Sequence, residues 1–246
     1  MEHRVHSLAQ TTRIVMVASN PAVSGQTGWP IGFWWGELTH PYWEFVRHGY
    51  DVTIASPGGG ALGADGLSDP EDPSGYSASD FVSLGFKHTP SLVMQTQDTP
   101  RLGDLDLETF DAIFFVGGQG PMYTFRGNSD VHSAIRAMLA ADKPTAVLCH
   151  ATSTLLDATG SDGSLIVHGR RWTGFSNAEE DYVEAAVGQR IQPFRIEDEA
   201  RAIDGTNFVV GPMFEPHVVR DGNLITGQQQ NSGVAAARVV IEALEG

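Results

Sequence analysis

Thr145-Ala146-Val147-Leu148-Cys149-His150-Ala151-Thr152-Ser153-Thr154-Leu155-Leu156 is the stretch that decides the fold. Its first four residues form an apolar run, the pattern of a short buried strand. Residues 149–156 then read as the start of a helix. A strand that enters a helix through a tight turn, with a nucleophile at the turn, is a nucleophile elbow. The elbow lifts the side chain out of the sheet and surrounds it with backbone N–H groups. Cys149 is the only cysteine of the chain. At a helix N-terminus its thiol would feel the positive end of the helix dipole, which favours thiolate. The competing reading is a buried structural cysteine, packed as a small hydrophobe.

Outward from the elbow, strands and helices alternate. Residues 13–18 and 51–55 read as strands, and residues 38–48 between them can form a helix. Residues 111–116 form a continuous apolar run, as expected for a strand covered on both faces. Val131, Ile135, Met138 and Leu139 recur at helical spacing over residues 130–141. Residues 217–226 read as two strands about an Asp221-Gly222 turn, and residues 232–244 as a last amphipathic helix. Such alternation predicts a mostly parallel sheet with helices on both faces. Ligands in these sheets bind at the carboxyl ends of the strands, where Cys149 and the glycines after Val116 fall. Two segments break the pattern. Residues 56–79, rich in Pro, Gly, Asp and Ser, are too long for a simple connection and read as an active-site loop or a flexible excursion. Residues 86–107 are polar, with little periodicity.

The chain has 246 residues, enough for one large domain, expected over residues 13–246. Its net charge of -15 argues against nucleic acid and against an anionic membrane surface as partners. A single cysteine gives no internal disulfide and no sign of an oxidising compartment. No apolar run reaches the length of about 18 residues needed for a transmembrane helix. Residues 1–12 are polar without an apolar core. They read as a loose tail rather than a secretory signal, and a cytoplasmic location is expected.

Four groups of residues could carry chemistry. Gly117-Gly118-Gln119-Gly120 directly follows a buried strand, so its N–H groups could approach a ligand or stabilise an oxyanion opposite Cys149. An ordinary tight turn would read the same way. The spacing fits neither a Walker loop nor a Rossmann fingerprint. Glu37 lies in the aromatic run Gly32-Phe33-Trp34-Trp35-Gly36-Glu37-Leu38-Thr39-His40-Pro41-Tyr42-Trp43. Apolar surroundings would raise its pKa and equip it to move protons, and a plain helix-start carboxylate is the alternative. His150, next to the cysteine, could orient or deprotonate it, or simply pack. Glu179 and Glu180 offer a carboxylate to hold His150, although by default they would be solvated acids of a first helical turn. His3, His6, His88, His132 and His168 are scattered and make poor metal ligand sets, so no metal and no cofactor are expected.

Phe115-Val116-Gly117-Gly118-Gln119-Gly120-Pro121, Val147-Leu148-Cys149-His150-Ala151 and Thr173-Gly174-Phe175-Ser176-Asn177-Ala178-Glu179-Glu180 together resemble the DJ-1/PfpI superfamily. So do residues 32–42 and the closing segment 217–228. The resemblance is to the Hsp31-like branch, often labelled type 1 glutamine amidotransferase-like, a label that describes fold rather than activity. It implies a flavodoxin-like α/β sandwich, usually a homodimer. It further implies Cys149 as nucleophile, His150 as the adjacent histidine, Glu180 as third member with Glu179 one register away, and Glu37 as the acid hydrogen-bonding the thiol. Gly118 and the His150 N–H would form the oxyanion hole. The branch is described as containing glutathione-independent glyoxalases, deglycases and stress chaperones. One departure stands out: the branch usually reads GGHG after the buried strand, and here Gln119 replaces the histidine. Gln119 can hydrogen-bond but not titrate. Trp34, Trp35 and Trp43 around Glu37 point to a bulkier, more apolar pocket than methylglyoxal requires.

Three functions follow. The first is a cysteine-dependent enzyme on small aldehydes or related electrophiles. The second uses the same site for hydration, hydrolysis or rearrangement of a bulkier specialised metabolite, which Gln119 and the tryptophans favour. The third is a stress chaperone or redox sensor in which Cys149 is oxidised.

Overall fold

The computed structural model describes residues 11–246; the expected tail over residues 1–12 therefore falls, for residues 1–10, outside the described residues. Six strands form the main sheet: β1 (Arg13–Val17), β2 (Asp51–Ala55), β3 (Ala112–Phe115), β4 (Thr145–Leu148), β5 (Val218–Asp221) and β6 (Leu224–Gly227). Their order is β2-β1-β3-β4-β6-β5. All neighbours are parallel except the β5–β6 hairpin, whose turn is Gly222-Asn223, one residue beyond the expected Asp221-Gly222 because Asp221 still pairs with Leu224. The first four in this order reproduce the flavodoxin-like arrangement.

The sheet buries because its strands are apolar on both sides. Every residue of β3 and β4 is buried, as are Ile14 to Val17 of β1. Helix α1 (Trp35–Arg47) packs against α5 (Gly233–Glu245), while α3 (Ser129–Ala140) lies against β3 and β4. Asn128 caps α3 by accepting the N–H groups of Asp130 and Val131. The fold is an α/β sandwich of the expected flavodoxin-like class. Of the two segments that break the pattern, the polar one over 86–107 is built of short pieces, beginning within α2 (Phe81–Lys87) and continuing through one turn of α-helix, Pro90–Val93, and single 3₁₀ turns.

Register positions the site. Val17 pairs with Phe115, and Phe115 with Val147. Two residues beyond each pair, Ser19, Gly117 and Cys149 therefore emerge side by side at the carboxyl edge of the sheet. This is the point where the strand order reverses, the usual ligand crevice of such sheets. Helix α1 starts at Trp35, three residues before the expected position, which places Glu37 in its first turn.

Candidate active site

Cys149 directly follows β4 with φ at 55°, in the left-handed region that a non-glycine residue rarely adopts. The bend opens eight residues of 3₁₀ helix, Cys149–Leu156, rather than an α-helix. The Thr152 hydroxyl clamps the bend by donating to the Cys149 carbonyl at 2.6 Å. A side chain at Gly117 would put its Cβ 2.7 Å from both the Cys149 Cβ and the Leu148 carbonyl. At Gly118, with φ at 105°, a Cβ would meet the Gly32 carbonyl and the Trp34 N–H nitrogen at 2.6 Å. Glycines stand here because three backbones converge on one sulfur.

Around that sulfur the chain assembles groups from distant segments. His150 Nδ1 lies 3.4 Å from Cys149 Sγ, and His150 Nε2 is 2.9 Å from Glu180 Oε1. The imidazole stacks on Phe175, with ring centroids 4.1 Å apart. Glu37, fully buried, accepts the Gly117 N–H at 3.0 Å and rests against the Cys149 thiol. The N–H groups of His150 and Gly118 also reach the sulfur.

Glu180 rather than Glu179 is the acid that meets His150. Glu179 closes a capping box with Ser176 at the start of α4 (Asn177–Val187). It also accepts the Phe214 N–H and the Gln228 side-chain amide. Both glutamates are buried, so the expectation of solvated first-turn acids is corrected. Helical geometry separates them: neighbours on a helix point about 100° apart, one towards the site and one towards the closing segment.

The protonation states also differ from the sequence expectation. The thiol was expected to lean towards thiolate. Burial and the adjacent Glu37 carboxylate instead push the Cys149 thiol well above its ordinary value, and the two backbone N–H groups offset only part of this. Burial likewise raises Glu37 to about 7, against the opposing pull of the Cys149, His150 and Gly117 contacts. At His150 burial works against the charged ring, but Glu180, with help from Glu37 and Asp65, outweighs it and raises the pKa. The site thus sets a thiol whose ionisation is disfavoured between an acid poised near neutrality and an imidazole whose protonation Glu180 favours.

Asp65 escaped the sequence reading. It is fully buried and accepts the Gly32 N–H at 3.0 Å and the Gln119 N–H at 2.6 Å. It thereby ties the 56–79 segment to the Gly32 stretch before α1 and to the 117–120 glycine loop, and burial raises its pKa to about 7. Nothing in Leu62-Gly63-Ala64-Asp65-Gly66 distinguishes it from a turn residue; only the fold shows that it faces two loops remote in sequence. With Asp65, Leu67 and Tyr76 lining the cavity, this segment is part of the site wall, which decides between the two readings offered for it.

The cavity over Cys149 has a volume of about 260 Å³. Trp34, Gly118 and Gln119 line it, as expected. Trp35 does not: it is buried in the core against Phe33 and Phe86, and Trp43 is half-exposed on the outer face of α1. The tryptophan wall therefore reduces to Trp34. Much of the remaining wall comes from α4 and the residues after it, which the sequence reading missed. Glu180, Val183 and Val187 share one helical face. Among the described residues no cluster of three or more His, Cys, Asp or Glu could hold a metal, and no helix is long and apolar enough to cross a membrane.

The DJ-1/PfpI family model matches residues 32–243. Glyoxalase 3 of Candida albicans is 22% identical over 212 residues, covering 85% of this chain and 88% of that protein. A probable glutathione-independent glyoxalase of Schizosaccharomyces pombe is 22% identical over 257 residues, covering 95% and 98%. Among solved structures, the Rapid Encystment Protein of Francisella tularensis superposes with a TM-score of 0.84 at 26% identity, over 95% of this chain and 99% of that one. Glyoxalase III from Candida albicans superposes at 0.77 with 20% identity, over 94% and 97%. These matches span nearly the whole chain, and the chain belongs to the DJ-1/PfpI family, in its Hsp31-like branch.

Proposed function

We propose that the chain is a cysteine-dependent, glutathione-independent enzyme of glyoxalase type, converting an α-oxoaldehyde to a 2-hydroxy acid. The observation that carries this is the convergence of His150, Glu37 and two N–H groups on the Cys149 sulfur, with Glu180 holding the far side of the imidazole. The glyoxalase names of low-identity relatives support it.

In this reading the thiol adds to the aldehyde carbon. A C–S bond forms, and the thiol proton passes through Glu37 to the former aldehyde oxygen, which Gly118 and His150 N–H groups hold. Glu37, ionised again, takes the proton from that carbon while His150 protonates the neighbouring ketone oxygen, giving an enediol. His150 then recovers a proton from the hydroxyl on the sulfur-bearing carbon, and Glu37 returns its proton to the second carbon. The product is a thioester. Water hydrolyses it, releasing the hydroxy acid and the thiol. The aldehyde carbon is oxidised and the ketone carbon reduced, so no external redox partner enters. A near-neutral Glu37 suits a group that must both accept and give a proton at pH 7.

The test is turnover of methylglyoxal to lactate, and of larger α-oxoaldehydes to their hydroxy acids, by wild type and Cys149→Ser. Activity surviving in Cys149→Ser would overturn the reading. Gln119 and the apolar cavity favour one alternative, hydration or hydrolysis of a bulkier metabolite at the same sulfur. A protein inert towards every α-oxoaldehyde, yet rapidly alkylated at Cys149 by iodoacetamide, would point there.

A further inference from the structure

The cavity is not shaped for a small aldehyde. Beyond the sulfur its wall is apolar: Phe175, Val183, Val187, Ile191 and Phe214 face the space, together with Leu67. A compound as small as methylglyoxal would leave most of this wall against water. Its electrostatics are equally selective. Glu37, Asp65 and Glu180 line the cavity; its one cationic candidate, His150, is already engaged by Glu180 and the thiol, and no lysine or arginine among the described residues lines it, so a carboxylate or phosphate on the substrate would find three acids and no free cation. Two acceptors stand open. The Oε1 atoms of Gln119 and Gln192 are buried without a hydrogen-bond partner, an arrangement that favours a ligand hydroxyl able to donate to them. The mouth is aromatic as well. Trp34, Tyr76, Tyr182 and Phe214 line both the cavity and the outer groove beside it. Trp34 meets Tyr76 edge-on at 6.1 Å, and Tyr182 meets Phe214 at 5.4 Å.

We propose that the site takes an uncharged α-oxoaldehyde carrying an aryl or branched alkyl arm, in preference to methylglyoxal. The arm lies along the α4 wall while the aldehyde reaches Cys149. This rests on the reaction assigned above, and it adds the substrate class.

The experiment compares kcat/KM for phenylglyoxal, 4-carboxyphenylglyoxal and methylglyoxal. Burying a phenyl ring in place of a methyl favours phenylglyoxal by about 10- to 100-fold. The carboxylate analogue is expected to fall at least about tenfold below phenylglyoxal. Ala186 lines the cavity but is exposed on α4, so Ala186→Trp can narrow the space without disturbing the core. It is expected to reduce the phenylglyoxal-to-methylglyoxal ratio at least about tenfold, with an unchanged melting curve. Equal or better use of methylglyoxal, or an unchanged ratio in Ala186→Trp, would overturn the inference. Binding to Cys149→Ala separates this from failure of the reaction assignment. Tighter binding of 2-hydroxyacetophenone than of hydroxyacetone supports the substrate class even if no aldehyde is turned over. Equal binding rejects it.

Discussion

The cavity has two halves built on opposite principles, and helix α4 belongs to both. Its first turn contributes Glu180 to a polar cluster in which His150 is held between a carboxylate, a thiol and a stacked Phe175 ring. Its later turns contribute Val183 and Val187 to a wall with no charged partner. In the elbow half, position is fixed by hydrogen bonds and by glycines where backbones touch. In the wall half it is fixed by shape alone. One helix thus sets the distance between the reacting sulfur and the surface that selects what reaches it. Chemistry can stay constant while the wall changes, which is how one framework comes to serve different substrates.

Cutting the elbow half is expected to have the largest effect. Cys149→Ala should lower kcat by at least about 10³-fold, read from hydroxy-acid formation, while substrate-analogue binding in the wall half persists. Loss of both together would show that the halves are not separable.

Next is the buried carboxylate. Glu37 ionises near its ordinary value of 4.5 in the unfolded chain but at about 7 in the folded one. Between these values the folded state binds the extra proton, so its stabilising contribution is complete below about 4.5 and is lost as pH rises through 7. Glu37→Gln should therefore be more stable than wild type at pH 8, by up to about 3 kcal/mol, and should match it near pH 4. Denaturant titrations at the two pH values measure this; a gain independent of pH would assign the effect to packing instead.

Glu180→Gln removes the charge that raises the His150 pKa. We expect a loss in kcat/KM of about 10- to 100-fold, with the pH–rate limb belonging to His150 moving to lower pH. A uniform loss without that movement would make Glu180 structural only.

The smallest effects divide adjacent tryptophans. Trp35→Phe should destabilise by about 1–2 kcal/mol and leave KM alone, because it opens space in the core. Trp34→Phe should change KM by about two- to fivefold with under about 0.5 kcal/mol of stability, as expected for a wall residue. Thermal melts and KM values on the same pair of variants give the answer, and reversal of the pattern would contradict the wall assignment.

Much of this was legible in the chain itself. The apolar run into Cys149 read as strand and bend because side-chain period and turn chemistry are local properties, and the alternation around it predicted a parallel sheet. Strand bounds at residues 51–55 and 145–148 agreed with the structure. Glu37 stood out as one acid in an aromatic run. The rest depended on contacts between remote segments. Whether the thiol is charged follows from its burial beside Glu37, a residue more than a hundred positions earlier. Asp65 became part of the site only when two remote segments, at Gly32 and Gln119, closed on it. Trp34 and Trp35 carry the same side chain in neighbouring positions, so composition could not separate them. The start of α1 turned one to the cavity and the other to the core. Local pattern names the elements and the nucleophile, whereas burial and partners, which set protonation and selectivity, are properties of the packed whole.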